Sequence, residues 1–299
     1  MVARRSCLSV PGSSEKMLGK ARGLPADELV LDLEDAVAPP VKDEARERVA
    51  AALRDGAFGD RVVAVRVNAV DTRWGWRDVA TLAERSNGPL SLVLPKVEHP
   101  ADVTWVERLL DALGEGARGI RLQALIESAA GLAWCREIAT ASPRLEALIL
   151  GYADLSASLG RPSGVEDPPE SWVHAQESVL VAARTGGLQA IDGPYLGFRD
   201  EDGLRRRAEH ARRLGYDGKW AIHPVQVTVI EGVFTPTSEE FRTAQAVIAA
   251  LEQAEAAGRG AAELDGAMVD EASRRQAVGI VARGEAAGVA TAQRAGVGP

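Results

Sequence analysis

Short apolar runs rich in Val, Leu and Ile recur eight times along the chain, each followed by a longer amphipathic stretch, and this alternation restricts the fold more than any other feature. The runs fall at 6–10, 28–33, 61–67, 91–96, 120–126, 145–150, 188–191 and 219–222. They are near-continuous rather than alternating, the pattern of strands covered on both faces in a parallel sheet. Helical stretches are expected between and after them, at 14–23, 42–55, 76–85, 100–113, 129–140, 170–185, 201–214 and 238–257. Ser13 and Ser14 are N-cap candidates for the first, Gly23 is placed to stop it, and Thr237 or Ser238 with Glu240 resembles a capping box. Eight such units predict a closed (β/α)8 TIM barrel. The alternative is an open doubly wound sheet, but Pro11-Gly12-Ser13-Ser14 matches neither GxGxxG nor a P-loop.

A chain of 299 residues holds one such barrel with an appendage. Residues 1–257 are read as the catalytic barrel domain. Residues 258–299 change character, rich in Ala, Gly, Arg and Glu, with helical patches over 268–283 broken by Gly279, Gly284 and Gly288. This C-terminal extension is expected to be a lid or a subunit-contact arm, disordered over its last 15 residues.

The net charge of −8 argues against a nucleic-acid binder, which needs a basic face. It leaves an anionic small-molecule substrate open, since a metal or a local arginine reverses the sign inside a pocket. Two cysteines, Cys7 and Cys135, make neither a disulfide framework nor a zinc site, and fit a reducing cytoplasm. No signal peptide is evident, and the longest apolar runs, such as 145–150, are far too short to span a membrane.

Chemistry in a barrel of this kind sits at the C-terminal ends of the strands. Those ends read Asp32-Leu33-Glu34-Asp35, Arg66-Val67-Asn68, Lys96-Val97-Glu98, Glu127, Asp154 after Gly151, Asp192, and His223-Pro224. Seven consecutive strand ends thus carry ionisable groups beside apolar runs, where isolated charges are costly. Glu127 and Asp154, on neighbouring strands, are the best metal pair, leaving positions for water and substrate as Mg²⁺ prefers. The competing reading makes both of them helix or turn caps. Arg66 is either a bidentate clamp for a substrate carboxylate or a salt bridge to Glu34 or Asp35, and the two roles can coexist. Glu34 and Asp35 are assigned to support the metal site, holding its waters or Arg66, with one of them a candidate cap for the next helix. His223 reads as a hydrogen-bonded structural histidine, and Lys96 as a binding or structural residue rather than an imine former.

The ordered set Arg5-Ser6, Val10-Pro11-Gly12-Ser13, Lys20-Ala21, Leu31-Asp32-Leu33-Glu34-Asp35-Ala36-Val37, Arg66-Val67-Asn68, Leu94-Pro95-Lys96, Ile126-Glu127-Ser128-Ala129, Gly151-Tyr152-Ala153-Asp154-Leu155 and Ile222-His223-Pro224 resembles the citrate lyase β-subunit-like family, in its malyl-CoA and citramalyl-CoA lyase branch. The resemblance implies a barrel acting on coenzyme A thioesters with Mg²⁺ or Mn²⁺. It implies Glu127 and Asp154 as metal ligands, Arg66 at the 2-oxo-acid carboxylate, and Arg5 as a second substrate-side arginine. Gly266-Ala267-Met268-Val269-Asp270 resembles the tail segment whose aspartate is the acid/base supplied by an adjacent subunit, so Asp270 is the implied catalytic residue and a homo-oligomer, trimer or hexamer, is implied with it. Lys20 is a candidate coenzyme A contact. The implied reaction cleaves or forms a 3-hydroxyacyl-CoA, yielding acetyl-CoA or propionyl-CoA and glyoxylate or pyruvate. The alternatives are a coenzyme A-independent 2-oxo-acid aldolase, a malyl-CoA thioesterase, or a citrate lyase β subunit acting on an acyl-carrier partner.

Overall fold

The computed structural model describes residues 3–55, 58, 61–85, 89–161 and 169–289. The strands are β1 (Ser6–Pro11), β2 (Glu28–Asp32), β3 (Val62–Arg66), β4 (Ser91–Leu94), β5 (Arg121–Ile126), β6 (Leu145–Leu150), β7 (Gln189–Asp192) and β8 (Gly218–Ala221). Each falls on an expected run. They pair in order, all parallel, and β1 closes on β8 through Ser6 opposite Lys219 and Leu8 opposite Ala221. The expected closed parallel barrel is the fold.

The helices are α1 (Glu15–Ala21), α2 (Lys42–Arg54), α3 (Gly75–Arg85), α4 (Pro100–Ala112), α5 (Ala129–Ala133), α6 (Cys135–Ala139), α7 (Tyr152–Ser158), α8 (Val173–Thr185), α9 (Glu201–Leu214), α10 (Val225–Phe234), α11 (Ser238–Ala256) and α12 (Glu271–Ala286). Ser14 caps α1 by accepting from Met17 N, and Thr237 with Glu240 closes a capping box on α11. The single helix expected over 129–140 is two, divided at Trp134, whose φ of −100° and ψ of 9° leave the helical region. Two helices carry little sequence signal. The seven residues of α7 are too few to show a period, and α10 is rich in Val, Thr and Ile, residues of modest helix propensity.

The described residues form two compact units, Arg4–Glu231 with the barrel, and a second from Gly232 onward. In the second unit α11 packs on α12. The helix that directly follows β8 is α10, ahead of the expected stretch that forms α11. The stretch 268–283 is not helical throughout. Met268 and Val269 belong to β10 (Ala267–Val269), which pairs antiparallel with β9 (Ala262–Leu264). The turn between them is Asp265-Gly266, with φ of 52° and 79°, the Asp-Gly hairpin signature. Gly279 and Gly284 do not break α12. A Cβ at Gly284 would lie 2.3 Å from the Phe241 ring of α11, so the glycine is there to let two helices approach. Residues 290–299, most of the end expected to be disordered, lie outside the described residues.

The barrel interior is apolar along its middle, with Cys7, Val30, Ala64, Val93, Leu125, Ile149, Ile191 and Trp220 in one cluster. Toward the N-terminal ends of the strands it turns polar. Fully buried Glu28 accepts from Arg4 Nε at 3.0 Å and from Gln123 Nε2 at 2.7 Å, and Arg4 also pairs with Glu146. No described helix is long and apolar enough to cross a membrane.

Removing one member of a buried ion pair strands the other, at about 3–5 kcal/mol. Glu28→Ala should lower the unfolding free energy from urea titration by that order, and the midpoint with it, whereas Arg118→Ala, breaking the exposed pair to Glu115, should leave the midpoint nearly unchanged. Equal midpoints for the two variants would show that Glu28 is not a structural tie.

Candidate active site

At the C-terminal mouth of the barrel lies a cavity of about 380 Å³, lined by Asp32, Asp35, Arg66, Glu127, Asp154 and Tyr152 among others, with an apolar wall from Leu125, Ile149, Trp220, Ile222 and Pro194. Five of the residues singled out from the sequence as strand-end charges thus meet around one space.

Arg66 ends β3 and is held from two sides. Its Nε donates to Asp32 Oδ1 at 2.9 Å and its Nη2 to Asp32 Oδ2, a bidentate grip, while Nη1 lies 2.9 Å from Glu34 Oε2 and 3.6 Å from Asp35. Burial opposes its charge, but the bonds and charges of Asp32 and then of Glu34 raise its pKa further above the ordinary arginine value. Its main partner is thus Asp32, which the sequence placed beside Glu34 without a role. Asp32 also accepts from the backbone N–H groups of Glu34 and Ala36, fixing the turn that carries the acidic cluster. Neither Glu34 nor Asp35 caps α2, which is entered through a 3-10 turn at Pro39–Val41 and has no side-chain cap. Glu34 instead bonds Lys96 Nζ and faces Arg66, and Lys42 Nζ ties the Leu33 and Glu34 carbonyls to Asn68.

Glu127 follows β5, is 3% exposed, and its Oε1 accepts from Lys96 N at 2.8 Å. Lys96 reaches that position with φ of 52°, a left-handed conformation costly for a side chain with a Cβ. Gly151, after β6, sits against the same carboxylate: a Cβ there would lie 2.7 Å from Glu127 Oε2. Asp154 stands in the first turn of α7. The capping alternatives fall away. Ser128 caps α5, through Gly131 N at 3.0 Å, and α7 has no side-chain cap.

Burial, then the charges of Glu34 and Asp154, push the Glu127 carboxyl up to about 8. Two hard oxygen donors that repel each other, one of them buried, are what a divalent cation relieves, and the residues fit one on that ground. Among the described residues no three His, Cys, Asp or Glu side chains form a metal cage, so any ion here would take its remaining ligands from water or substrate.

A second charged group at the mouth carried weaker signals in the sequence. Asp192 at the end of β7 and Lys219 in β8 form an ion pair, both 1% exposed, and Tyr152 Oη donates to Asp192. Asp192 was visible as a strand-end charge. The lysine facing it was not, because a residue within an apolar run gives no sign of its partner.

Other expected residues lie elsewhere. Arg5 precedes β1, at the opposite end of the barrel from the mouth, and its guanidinium grips Asp27 at 2.7–2.8 Å, so it does not line the cavity as a substrate-side arginine. Its place before the strand, not after it, decides this. Lys20 is exposed in the last turn of α1 and is not among the cavity residues. Asp270 belongs to the second unit, where it caps α12 by accepting from Ala272 N and Ser273 N. Those bonds hold its carboxyl below the usual range, first through Ser273 N–H. His223 stacks on Phe198 and accepts from Val225 N, a structural arrangement.

The folded protein keeps a proton on Glu127 up to about pH 8, while the unfolded chain releases it in the ordinary carboxylate range. The metal-free fold should therefore lose stability as pH rises from about 5 to about 8, since the unfolded state binds fewer protons across that window. Melting temperatures of metal-free Glu127→Gln should fall less over the same range; parallel curves would remove Glu127 from the titration.

Residues 5–224 match the family described as HpcH/HpaI aldolase/citrate lyase. An L-malyl-CoA/β-methylmalyl-CoA lyase of Rhodobacter capsulatus is 40% identical, over 93% of this chain and 94% of its own. A (3S)-malyl-CoA thioesterase of Cereibacter sphaeroides is also 40% identical, over 89% of each. Among solved structures, the CitE protein of Mycobacterium tuberculosis in complex with magnesium, acetoacetate and coenzyme A superposes with a TM-score of 0.75 at 30% identity, covering 95% of this chain and 98% of that one. With the barrel, the acidic mouth and these matches together, the chain belongs to the HpcH/HpaI aldolase/citrate lyase family.

Proposed function

We propose that this protein is a Mg²⁺- or Mn²⁺-dependent carbon–carbon lyase that cleaves, or in reverse forms, a 3-hydroxyacyl-CoA of the malyl-CoA or citramalyl-CoA type. The observation that carries the reading is the convergence of Glu127, Asp154 and Arg66 on one cavity with an apolar wall. The relatives named above act on malyl thioesters, and the CitE complex holds magnesium and coenzyme A.

Glu127 and Asp154 would hold the ion, which when bound supplies a Lewis acid for the oxygen next to the substrate carboxylate. Asp32 takes two of the five donors of the Arg66 guanidinium and Glu34 lies beside Nη1, leaving three N–H groups not committed to Asp32 for that carboxylate. The wall of Leu125, Ile149, Trp220 and Ile222 keeps water from the acyl carbon. In cleavage the substrate hydroxyl gives its proton to water, the O–H electron pair becomes the new carbonyl bond, the C2–C3 bond breaks with its pair left on C2, and glyoxylate or pyruvate departs from a thioester enolate. Asp270, from an adjacent subunit of a trimer or hexamer, exchanges the proton at that carbon. Its Oδ1 takes all three of its hydrogen bonds, so Oδ2 is the oxygen for the transfer. The nucleotide portion of coenzyme A lies outside the cavity, near the β1–α1 segment with exposed Lys20. The buried, unpaired thiols of Cys7 and Cys135 suit a cytoplasmic enzyme.

With malyl-CoA or citramalyl-CoA and Mg²⁺, the purified protein should release a 2-oxo acid trapped by phenylhydrazine, and EDTA should abolish the release. Free thiol without 2-oxo acid would replace the lyase by the thioesterase reading; silence with both thioesters would favour an aldolase or a partner-requiring subunit. Asp270→Asn should lower turnover by about 10²-fold or more with metal affinity unchanged. Mixing Asp270→Asn with Glu127→Gln protein and allowing subunits to exchange should recover activity that neither has alone; no recovery would place both residues on one chain's site.

A further inference from the structure

The hydroxyl of Tyr152 makes two hydrogen bonds to buried side chains. It donates to Asp192 Oδ1 and accepts from Gln176 Nε2 at 2.8 Å. Asp192 is itself fixed by Lys219 Nζ, which also donates to the Gly193 carbonyl at 2.6 Å. The ring is held as firmly as the hydroxyl. Trp172 packs edge-on with centroids 5.1 Å apart, and at Gly193 a Cβ would come 2.7 Å from the ring. Asp192, Lys219 and Gln176 are each no more than 2% exposed.

Tyr152 lines the cavity, yet its only donor and its bonded lone pair face away from any ligand, into the barrel wall. That arrangement is unsuited to proton transfer. What it does restrain is the chain. Tyr152 is the first residue of α7, whose N-cap Gly151 offers no side-chain bond, and Asp154 follows in the same turn. The segment is thus wedged between Glu127, pressed against Gly151, and the Asp192–Lys219 pair, which holds Tyr152. A buried ion pair is an expensive way to fill a barrel wall; apolar residues of the same volume would serve stability at least as well. Its retention is explained if it sets geometry.

Resting on the metal reading of Glu127 and Asp154, we infer that Tyr152, tethered by Asp192, Lys219 and Gln176, is a positioning residue that sets where the Asp154 carboxylate stands relative to Glu127 and so tunes the affinity of the mouth for a divalent cation. Residues that orient metal ligands typically change affinity by about 10–100-fold when lost.

The experiment is Mn²⁺ binding, by titration calorimetry and by the free-ion electron paramagnetic resonance signal, on the full chain. Tyr152→Phe keeps the ring and removes the tether; it should weaken Mn²⁺ by roughly tenfold or more, with activity restored toward wild type at saturating Mn²⁺. Gln176→Met, which cuts one of the two bonds, should weaken it less and serves if Tyr152→Phe does not fold. Unchanged Mn²⁺ affinity in a folded tether variant, with Asp154→Asn abolishing binding, would overturn the inference while leaving the metal site standing. Unchanged affinity in Asp154→Asn and Glu127→Gln would overturn both.

Discussion

Everything at the mouth of this barrel depends on how its carboxylates are neutralised once water is removed. Asp32 and Glu34 are buried and would not be tolerated as bare charges. The Arg66 guanidinium answers Asp32 with two parallel bonds and Glu34 with a third contact, and Lys96 takes the other oxygen of Glu34. Asp192 is matched by Lys219 in the same way. Glu127 and Asp154 are the exceptions. Glu127 receives one backbone N–H and its carboxyl is pushed up to about 8, with Asp154 among the causes. Of the described carboxylates that line the cavity, Asp32 and Asp35 have ion pairs while Glu127 and Asp154 show none, and an imbalance so local is a property of a site rather than of a fold.

The backbone is shaped to the same end. Three glycines at strand ends admit groups that a Cβ would exclude: Gly12 against the Asp32 carbonyl, Gly151 against the Glu127 carboxylate, and Gly193 against the Leu150 carbonyl and the Tyr152 ring. Lys96 adopts a left-handed φ to aim its N–H at Glu127. Rigid strands bring the charged residues together, and the short loops after them decide which atom faces which.

The barrel was legible because its signal is repeated: eight near-continuous apolar runs have few other uses, and each became a strand. The strand-end charges were legible for the same reason, since a barrel turns position along a run into position at the mouth. Pairing was not. Nothing in Asp32-Leu33-Glu34-Asp35 says that Asp32 rather than Glu34 takes the arginine fork, because that depends on registers, Asp32 standing directly opposite Arg66 in the β2–β3 ladder. Arg5 shows the converse error. Resemblance supplied a role, while its position before β1 puts the side chain at the other end, bonded to Asp27. In the tail, composition suggested broken helix, but Asp265-Gly266 is a two-residue hairpin signal that outweighs it, and Gly284 is a packing residue rather than a breaker.

The proton-exchanging carboxylate proposed above is a helix cap. Asp270 lies at the junction of β10 and α12, where its Oδ1 is pinned by the first-turn N–H groups and by the Ser273 hydroxyl. Capping fixes the side chain rotamer without burying the group, so the charge costs little to maintain in the free chain. The same bonds lower its affinity for a proton, first through Ser273 N–H. A carboxylate poised in this way is a weak base until it is taken out of water, and burial beside acidic groups, as around Glu127, would raise its pKa by the desolvation that already acts on Glu127 itself. In the reaction proposed above, the acid/base strength of Asp270 would thus come from docking at a neighbouring mouth, and a freely exposed tail would be nearly inert.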